Sequence, residues 1–132
     1  MIKKVLIVSS NYYENISNNL LLGSTNTLKE NKIQFDVLNA PGCFEIPFLI
    51  KKNINKYNGF ISLGCIIKGD TYHFEVIANE TSRKIMDLSV EFLKPIGFGI
   101  LTCYDLNQAE LRSNINKKNK GREAALACIN LL

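Results

Sequence analysis

Four short apolar runs constrain the fold of this chain more than any other feature of its sequence. They cover residues 5–8, 35–38, 60–67 and 96–101. Their length and their β-branched or aromatic content are typical of strands that are buried on both faces. Because segments with helical periodicity lie between them, the order predicts βαβ units with right-handed crossovers and a parallel sheet covered on both faces.

The helical segments have clear sequence boundaries. Apolar residues recur with helical spacing over residues 16–28 and, in steps of three and four, over residues 71–93. We expect Pro95 to end the second of these helices and to introduce the fourth strand. Residues 121–132 are predicted to form a last helix.

Composition places the chain in a broad class. The 132 residues are 46% hydrophobic and 21% charged, so we expect residues 1–132 to form a single globular domain with one well-buried core. Every apolar run is much shorter than the roughly 20 residues of a membrane span. The N-terminal segment favours a first strand over a signal peptide, and the absence of targeting signals favours the cytoplasm.

The net charge of +4 raises the possibility of nucleic-acid binding. Basic residues gather at Lys117, Lys118, Lys120 and Arg122, but aromatic residues do not alternate with them and no nucleic-acid motif is present. The pattern favours a solvated face and an anion site.

The four cysteines, Cys43, Cys65, Cys103 and Cys128, are widely separated. They show neither C-x-x-C pairing nor zinc-ligand spacing. We expect structural thiols in a reducing compartment rather than redox or nucleophilic groups.

Ligands of open parallel sheets bind beyond the carboxyl ends of the strands. That rule selects residues 9–14, 40–45, 68–73 and 102–105. The third loop opens the long helix, and its free N–H groups predict either an anion site or an ordinary N-cap. His73, the only histidine, is either a proton-transfer residue or a structural one.

Other loop residues suggest complementary roles. Glu45 lies between apolar neighbours and is either a carboxylate that binds a polyol or part of a turn before a capped helix. Tyr12 and Tyr13 provide rings on which a planar heterocycle could stack. Arg112 is suited to gripping a phosphate, although a solvated surface role is the alternative. Together these residues suit a planar heterocycle and a phosphorylated partner.

Two segments of the chain carry a family resemblance. Residues 41–47 read PGCFEIP and residues 63–74 read LGCIIKGDTYHF. They closely resemble the two hallmark segments of 6,7-dimethyl-8-ribityllumazine synthase. The pattern continues through residues 98–102, through Gln108-Ala109 with Arg112, and through residues 119–121 with Glu123, so it covers nearly the whole chain.

The resemblance implies a fold and a reaction. The fold would be a flavodoxin-like three-layer α/β/α sandwich with a four-stranded parallel sheet. The reaction would condense 5-amino-6-(D-ribitylamino)uracil with 3,4-dihydroxy-2-butanone 4-phosphate, releasing phosphate and water, without a metal or an organic cofactor. The product, 6,7-dimethyl-8-ribityllumazine, is the precursor of riboflavin.

The resemblance also implies roles for individual residues. The residues that would bind ribitylaminouracil are Tyr12, Cys43, Phe44, Glu45, Cys65, Ile66, Ile67 and Phe98. Among them Tyr12 would stack on the pyrimidine, the segment 43–45 would hold the ribityl chain, and the segment 65–67 would contact the pyrimidine through its backbone. Phe98 would arrive from an adjacent subunit.

A second group of residues would serve the phosphorylated substrate and the chemistry. The backbone amides of Asp70 and Thr71, joined by Arg112, would bind butanone phosphate. His73 would be the catalytic proton-transfer residue. The implied partners are the two small-molecule substrates, further copies of the chain in a homopentamer with active sites between subunits, and riboflavin synthase; neither nucleic acid nor a membrane is implied.

The sequence departs from the family pattern at three places. The family usually has Phe-Asn where this chain has Tyr12-Tyr13, and arginine where it has Lys68. Residues 114–118 lack the family's common Gly and Ala-Gly spacing, and almost no extension precedes Ile2. We therefore expect a pentamer or a pair of pentamers rather than an icosahedral shell.

Three other classes compete with the enzyme. A binding module for lumazine or riboflavin could use the same fold, and a scaffold protein could use the same assembly. Retention of His73, Arg112 and Glu45 favours catalysis over passive binding. A response-regulator receiver is disfavoured because Ser9-Ser10-Asn11 stands where its acidic cluster would be.

Overall fold

The computed structural model describes residues 2–132, and Met1, with which the expected domain begins, lies outside them. The strands are β1 (Lys4–Ser10), β2 (Gln34–Ala40), β3 (Gly59–Ile67) and β4 (Ile96–Cys103). The helices are α1 (Glu14–Glu30), α2 (Ile46–Lys52), α3 (His73–Phe92), α4 (Leu106–Ser113) and α5 (Lys120–Leu131). A single 3-10 turn, Cys43–Glu45, leads directly into α2.

The four strands form one parallel sheet in the order β2-β1-β3-β4. This confirms the parallel sheet and the four strands predicted from the apolar runs. From β1 the chain passes to β2 on one side, and it then crosses over to β3 on the other side of β1. The carboxyl ends of β1 and β3 therefore frame the crevice in which such sheets bind ligands.

Each face of the sheet carries a helical layer. Along β1, Val5 and Ile7 pack in one apolar cluster with residues of α1, α4 and α5. Leu6 and Val8 point the other way and pack in a second cluster with residues of α2 and α3. This alternation follows from the period of two in a strand, and it confirms the three-layer flavodoxin-like arrangement.

Two glycines let α5 approach its neighbours closely. A β-carbon at Gly97 would overlap the carbonyl of Ala124 in α5, and one at Gly121 would overlap the carbonyl of Leu20 in α1. Both residues are buried, so little space is available to relieve such an overlap. Backbone approach at these positions fixes the helical layer formed by α1 and α5.

Most predicted element boundaries hold within a few residues, but α3 ends differently from the expectation. Its last residue is Phe92, and Leu93 adopts a left-handed conformation with φ 52°. The helix is therefore closed by this turn, in which Lys94 N donates to Ser89 O at 3.3 Å. Pro95 follows that turn rather than ending the helix itself. No helix within residues 2–132 is both long enough and apolar enough to cross a membrane.

Candidate active site

An open pocket of about 680 Å³ lies at the carboxyl edge of the sheet. It is framed by the ends of β1 and β3, by the turn after β2 and by the first turns of α3. Its lining residues are Ser10, Tyr12, Tyr13, Pro41, Gly42, Cys43, Phe44, Glu45, Cys65, Ile66, Ile67, His73, Val76 and Ile77. The pocket therefore brings three of the four candidate loops together.

Most of the expected site residues line this pocket. They are Tyr12, Cys43, Phe44, Glu45, Cys65, Ile66, Ile67 and His73. Asp70, Thr71, Arg112 and Phe98 do not line it within the described chain. The expected roles of all of them stay predictions, and the geometry shows which can act together within one subunit.

The two tyrosines after β1 have different environments. Tyr12 is 75% exposed, and its ring centroid lies 5.0 Å from that of Tyr13 at an interplanar angle of 77°. Tyr13 is half-buried and packs against the core beneath α1. Burial, followed by the neighbouring Cys65, raises the pKa of Tyr13. Tyr13 thus forms a fixed wall, whereas the face of Tyr12 is open to a planar ligand.

The 3-10 turn after β2 places a carboxylate at the pocket. Glu45 N donates to Gly42 O at 3.3 Å, and Glu45 Oε1 lies only 3.0 Å from the position of a β-carbon on Gly42. The second alternative for Glu45 was a turn before a capped helix. The turn and the helix are both present, but the Glu45 side chain does not cap α2. The carboxylate is instead half-buried at the pocket wall, where it can accept hydrogen bonds.

The thiols of the pocket are protonated at neutral pH. All four cysteines are free and buried. Burial raises the pKa of Cys43 to about 11 and that of Cys65 to about 12. Since the thiolate is the nucleophilic form, both side chains act as small walls of the pocket, as expected for structural thiols.

The loop between β3 and α3 is exposed and leaves the start of the helix open. Asp70 and Thr71 are exposed, and α3 begins without a side-chain cap from Tyr72. Thr71 Oγ1 accepts one long hydrogen bond, 3.4 Å, from His73 N. This long bond is a weak N-cap for one amide, and an anion site at the remaining backbone N–H groups of the first turn stays a prediction.

Two cationic side chains lie close to that loop. Lys68 Nζ is 3.4 Å from Glu75 Oε1 in the first turn of α3. Arg112, half-buried on α4, donates from Nη1 to Gln108 O at 3.3 Å. Burial raises the pKa of Cys103, and the charge of Arg112 opposes that rise. Because Lys68 N donates to Cys103 O at 2.9 Å, the end of β4 adjoins the loop.

Phe98 lies on β4, away from the pocket of its own subunit. Its side chain is 45% exposed. It does not line the pocket of its own chain, and its expected role in a neighbouring subunit stays a prediction.

Comparison with known proteins identifies the family. A family model described as 6,7-dimethyl-8-ribityllumazine synthase matches residues 3–132. The chain belongs to the 6,7-dimethyl-8-ribityllumazine synthase family. A relative of that name from Bartonella henselae is 42% identical over 129 residues, which cover 95% of this chain and 83% of the relative.

Two further lumazine synthases give the same picture. The protein from Bartonella tribocorum is 43% identical over 95% of this chain and 85% of its own length. The protein from Agrobacterium fabrum is 38% identical over 97% of this chain and 91% of its own length. The range matched by the family model therefore includes all the residues that line the pocket as well as the hallmark segments.

Five lining residues have no role predicted from the sequence. Ser10, Pro41 and Gly42 lie inside the selected loops, whereas Val76 and Ile77 belong to the predicted long helix. Ile77 is only half-buried and Val76 is 41% exposed, because the first turns of α3 extend past the edge of the sheet. The alternation in β1 places Ser10 on the face of Leu6 and Val8, which was the available signal.

Proposed function

We propose that this chain, as one domain over residues 1–132, catalyses the lumazine synthase reaction of riboflavin synthesis. The reaction joins 5-amino-6-(D-ribitylamino)uracil to 3,4-dihydroxy-2-butanone 4-phosphate. The observation that carries the proposal is the pocket between β1 and β3, which combines an exposed aromatic ring, a carboxylate and the sole histidine of the chain. The family to which the chain belongs supplies the identity of the substrates.

The inner part of the pocket is proposed to hold ribitylaminouracil. Tyr12 would stack on the pyrimidine, and the backbone of Cys65, Ile66 and Ile67 would meet its polar edge. Glu45 would accept hydrogen bonds from the ribityl hydroxyls, with Phe44 as an apolar wall. Support comes from their common placement around one cavity, in which both charged and apolar surfaces are available.

The open end of the pocket is proposed to hold butanone phosphate. The start of α3, where one long bond to Thr71 Oγ1 is the side-chain cap, would offer backbone N–H groups from the segment around Asp70 and Thr71, and its dipole favours a dianion. Arg112 would close over the phosphate from α4, and Lys68 adds positive charge nearby. Support comes from the end of β4, where Lys68 N donates to Cys103 O and where the charge of Arg112 lowers the pKa of the Cys103 thiol against the effect of burial.

The chemistry follows from bringing the two substrates together. The uracil amine attacks the ketone, and loss of water gives an imine. Loss of phosphate and ring closure with loss of a second water complete the product. Most of the rate gain in this scheme comes from holding the reactants in register. His73, at the mouth between the two subsites, would carry protons to and from the reacting atoms.

The active enzyme is proposed to be a pentamer in the cytoplasm. Phe98 of one subunit would complete the uracil subsite of its neighbour, because it is exposed and lies outside its own pocket. Large apolar side chains on the α2–α3 face, among them Phe48 and Met86, are 67% and 69% exposed, which is typical of a surface that meets a partner.

The four free thiols favour a reducing compartment. Riboflavin synthase, which would use the product, remains a proposed partner.

Mixing the purified protein with both substrates tests the proposal. Formation of fluorescent lumazine with one phosphate per turnover is the expected result. Tight binding of lumazine without turnover would instead favour a binding module on the same fold. Light scattering on the same sample measures the assembly, for which a pentamer or a pair of pentamers is expected.

A further inference from the structure

The hydroxyl of Ser10 is a buried polar group at the pocket that the protein itself does not satisfy. Ser10 ends β1 and is 1% exposed. Within residues 2–132, its Oγ has no hydrogen-bond partner, whereas its backbone carbonyl accepts a 2.7 Å bond from Ser17 Oγ. An unpaired buried hydroxyl costs free energy, so it calls for a specific reason at this position.

The neighbours of Ser10 cannot supply a good partner. The thiol of Cys43 is close enough to interact with the hydroxyl, but sulfur is a weak hydrogen-bond acceptor, and a buried protonated thiol leaves the acceptor sites of Ser10 Oγ without a strong partner. On β3 the facing residue is Gly64, where a β-carbon would lie 3.5 Å from Ser10 Cβ. Cys43 fills the space beside Gly64, and Ser10 is itself one of the residues that line the pocket.

We propose that Ser10 Oγ is a substrate-binding group that hydrogen-bonds the ribityl chain of the aminouracil and of the lumazine product. The inference rests on the proposed function and extends it to a residue outside the expected set. Ser10 lies beside Cys43, at the side of the pocket where Glu45 stands, rather than at the phosphate end near Asp70.

A polyol suits this position chemically. A serine hydroxyl carries one donor and two acceptor sites, and each ribityl hydroxyl carries the same set. Either orientation of the bond is therefore available, and the ligand satisfies a group that is unpaired in the free protein. Binding would give the Ser10 hydroxyl a hydrogen-bond partner that it lacks in the free protein. Removing this hydroxyl should therefore weaken ligand binding without lowering the stability of the free protein.

Replacement of Ser10 by alanine tests both expectations. The dissociation constant is measured by fluorescence for the lumazine product and for 6,7-dimethyllumazine, which lacks the ribityl chain. For Ser10→Ala we expect affinity for the product to fall by about three- to tenfold, as for a lost neutral hydrogen bond, with unchanged affinity for the chainless ligand. The ligand-free variant should melt at the same or a higher temperature than wild type.

Ser9→Ala is the matched control. Ser9 is 3% exposed, lies on the opposite face of β1 and does not line the pocket, so its loss should leave both affinities unchanged. Ser10→Gly, which also removes the hydroxyl without adding volume, should likewise lose affinity for the product and guards against a local effect of the alanine methyl group.

The outcomes separate the two proposals. Equal affinity of wild type and Ser10→Ala for the product would overturn the role of Ser10 while leaving the function intact. An equal loss for the chainless ligand would overturn the assignment to the ribityl chain. If wild type neither bound nor formed lumazine, the proposed function would fall and this inference with it.

Discussion

Gly64 and Cys43 share one small volume at the base of the pocket. A β-carbon on Gly64 would lie 2.6 Å from Cys43 Sγ, closer than such atoms approach in real proteins. Cys43 is 7% exposed and cannot easily turn away. The absence of a side chain at residue 64 therefore lets the turn after β2 lie directly against β3, and this contact sets the depth of the pocket.

Replacing Gly64 by alanine should damage both stability and binding. The added methyl group overpacks a filled site, for which a loss of about 1–3 kcal/mol in the free energy of unfolding is expected. Displacement of the turn should also weaken lumazine binding, because Glu45 moves with Cys43. Denaturant unfolding and fluorescence titration measure the two effects.

Gly69→Ala is the stability control for that experiment. A β-carbon there would meet nothing within 4 Å, so its free energy of unfolding should stay within about 0.5 kcal/mol of wild type. Equal stability of Gly64→Ala and wild type would show that the turn has room to retreat.

Thiol labelling should be slow in the folded protein. Burial raises the pKa of Cys43 to about 11 and those of Cys65 and Cys128 to about 12, against an ordinary value of about 8.5. At pH 8 these thiols should react with a disulfide reagent at least ~100-fold more slowly than a free thiol. All four should react at once in guanidinium. A fast-reacting equivalent in the native state would contradict the assignment of these thiols as structural.

The same shifts predict how stability depends on alkaline pH. The folded protein holds the thiol protons more tightly than the unfolded chain does. The resulting stability is fully present below about pH 8.5 and is lost as pH rises toward the folded values. Replacing Cys128 by serine or alanine should flatten this part of the stability profile.

A polar cluster at the opposite end of β1 should contribute to acid sensitivity. Tyr57 donates a 2.7 Å hydrogen bond to Asp36 Oδ2, and Lys4 Nζ lies 3.0 Å from the same oxygen. The hydrogen bond from Tyr57, followed by Lys4, lowers the pKa of Asp36. Its stabilising effect is present above about pH 3.9 and is lost as pH falls through the lowered value.

Tyr57→Phe tests this cluster. The stability difference from wild type should be constant between about pH 5 and 8 and should shrink below about pH 4. Tyr72→Phe, at a tyrosine that is 70% exposed, is the control and should show no such dependence. A difference that persists unchanged to pH 2.5 would mean that Tyr57 stabilises the fold by packing alone.

Activity in mixed assemblies should reveal the contribution of Phe98. A Phe98→Ala subunit keeps His73, and a His73→Gln subunit keeps Phe98. If Phe98 completes a neighbour's site, the interface between two such subunits can form one site in which both side chains are intact. Refolding the two variants together should then give more turnover than the mean of the separate variants. Activity equal to that mean would place Phe98 outside the active site.

The sequence predicted the central architecture because its signals are local. Apolar runs set the strands, and the stripe over residues 71–93 set α3. The short helix α4 went unpredicted, although Asp105 caps it by accepting from Gln108 N at 2.8 Å. The available signal was Asp105, three residues before Gln108, since Asp is a common N-cap residue. With only eight residues, however, α4 is too short to show a clear helical periodicity.

The site was predictable to a lesser depth. Loops after consecutive strands pointed to the edge where the pocket lies, and the family resemblance chose between the alternatives for Glu45 and His73, whose roles stay predictions. The period of β1 gives the face on which Ser10 lies. That its hydroxyl lacks a hydrogen-bond partner depends on how Cys43 and Gly64 pack beside it, and these residues come from separate parts of the chain. Such a relation follows from tertiary packing and has no local pattern from which it could be inferred.

The turnover number of His73→Gln tests most directly the claim that this pocket acts mainly by holding two substrates together. The variant should assemble like wild type and lose at most about 10²- to 10⁴-fold in kcat, while still forming lumazine and phosphate above the uncatalysed rate. An unchanged kcat would remove His73 from the reaction. Complete inactivity in a correctly folded assembly would contradict the dominance of positioning.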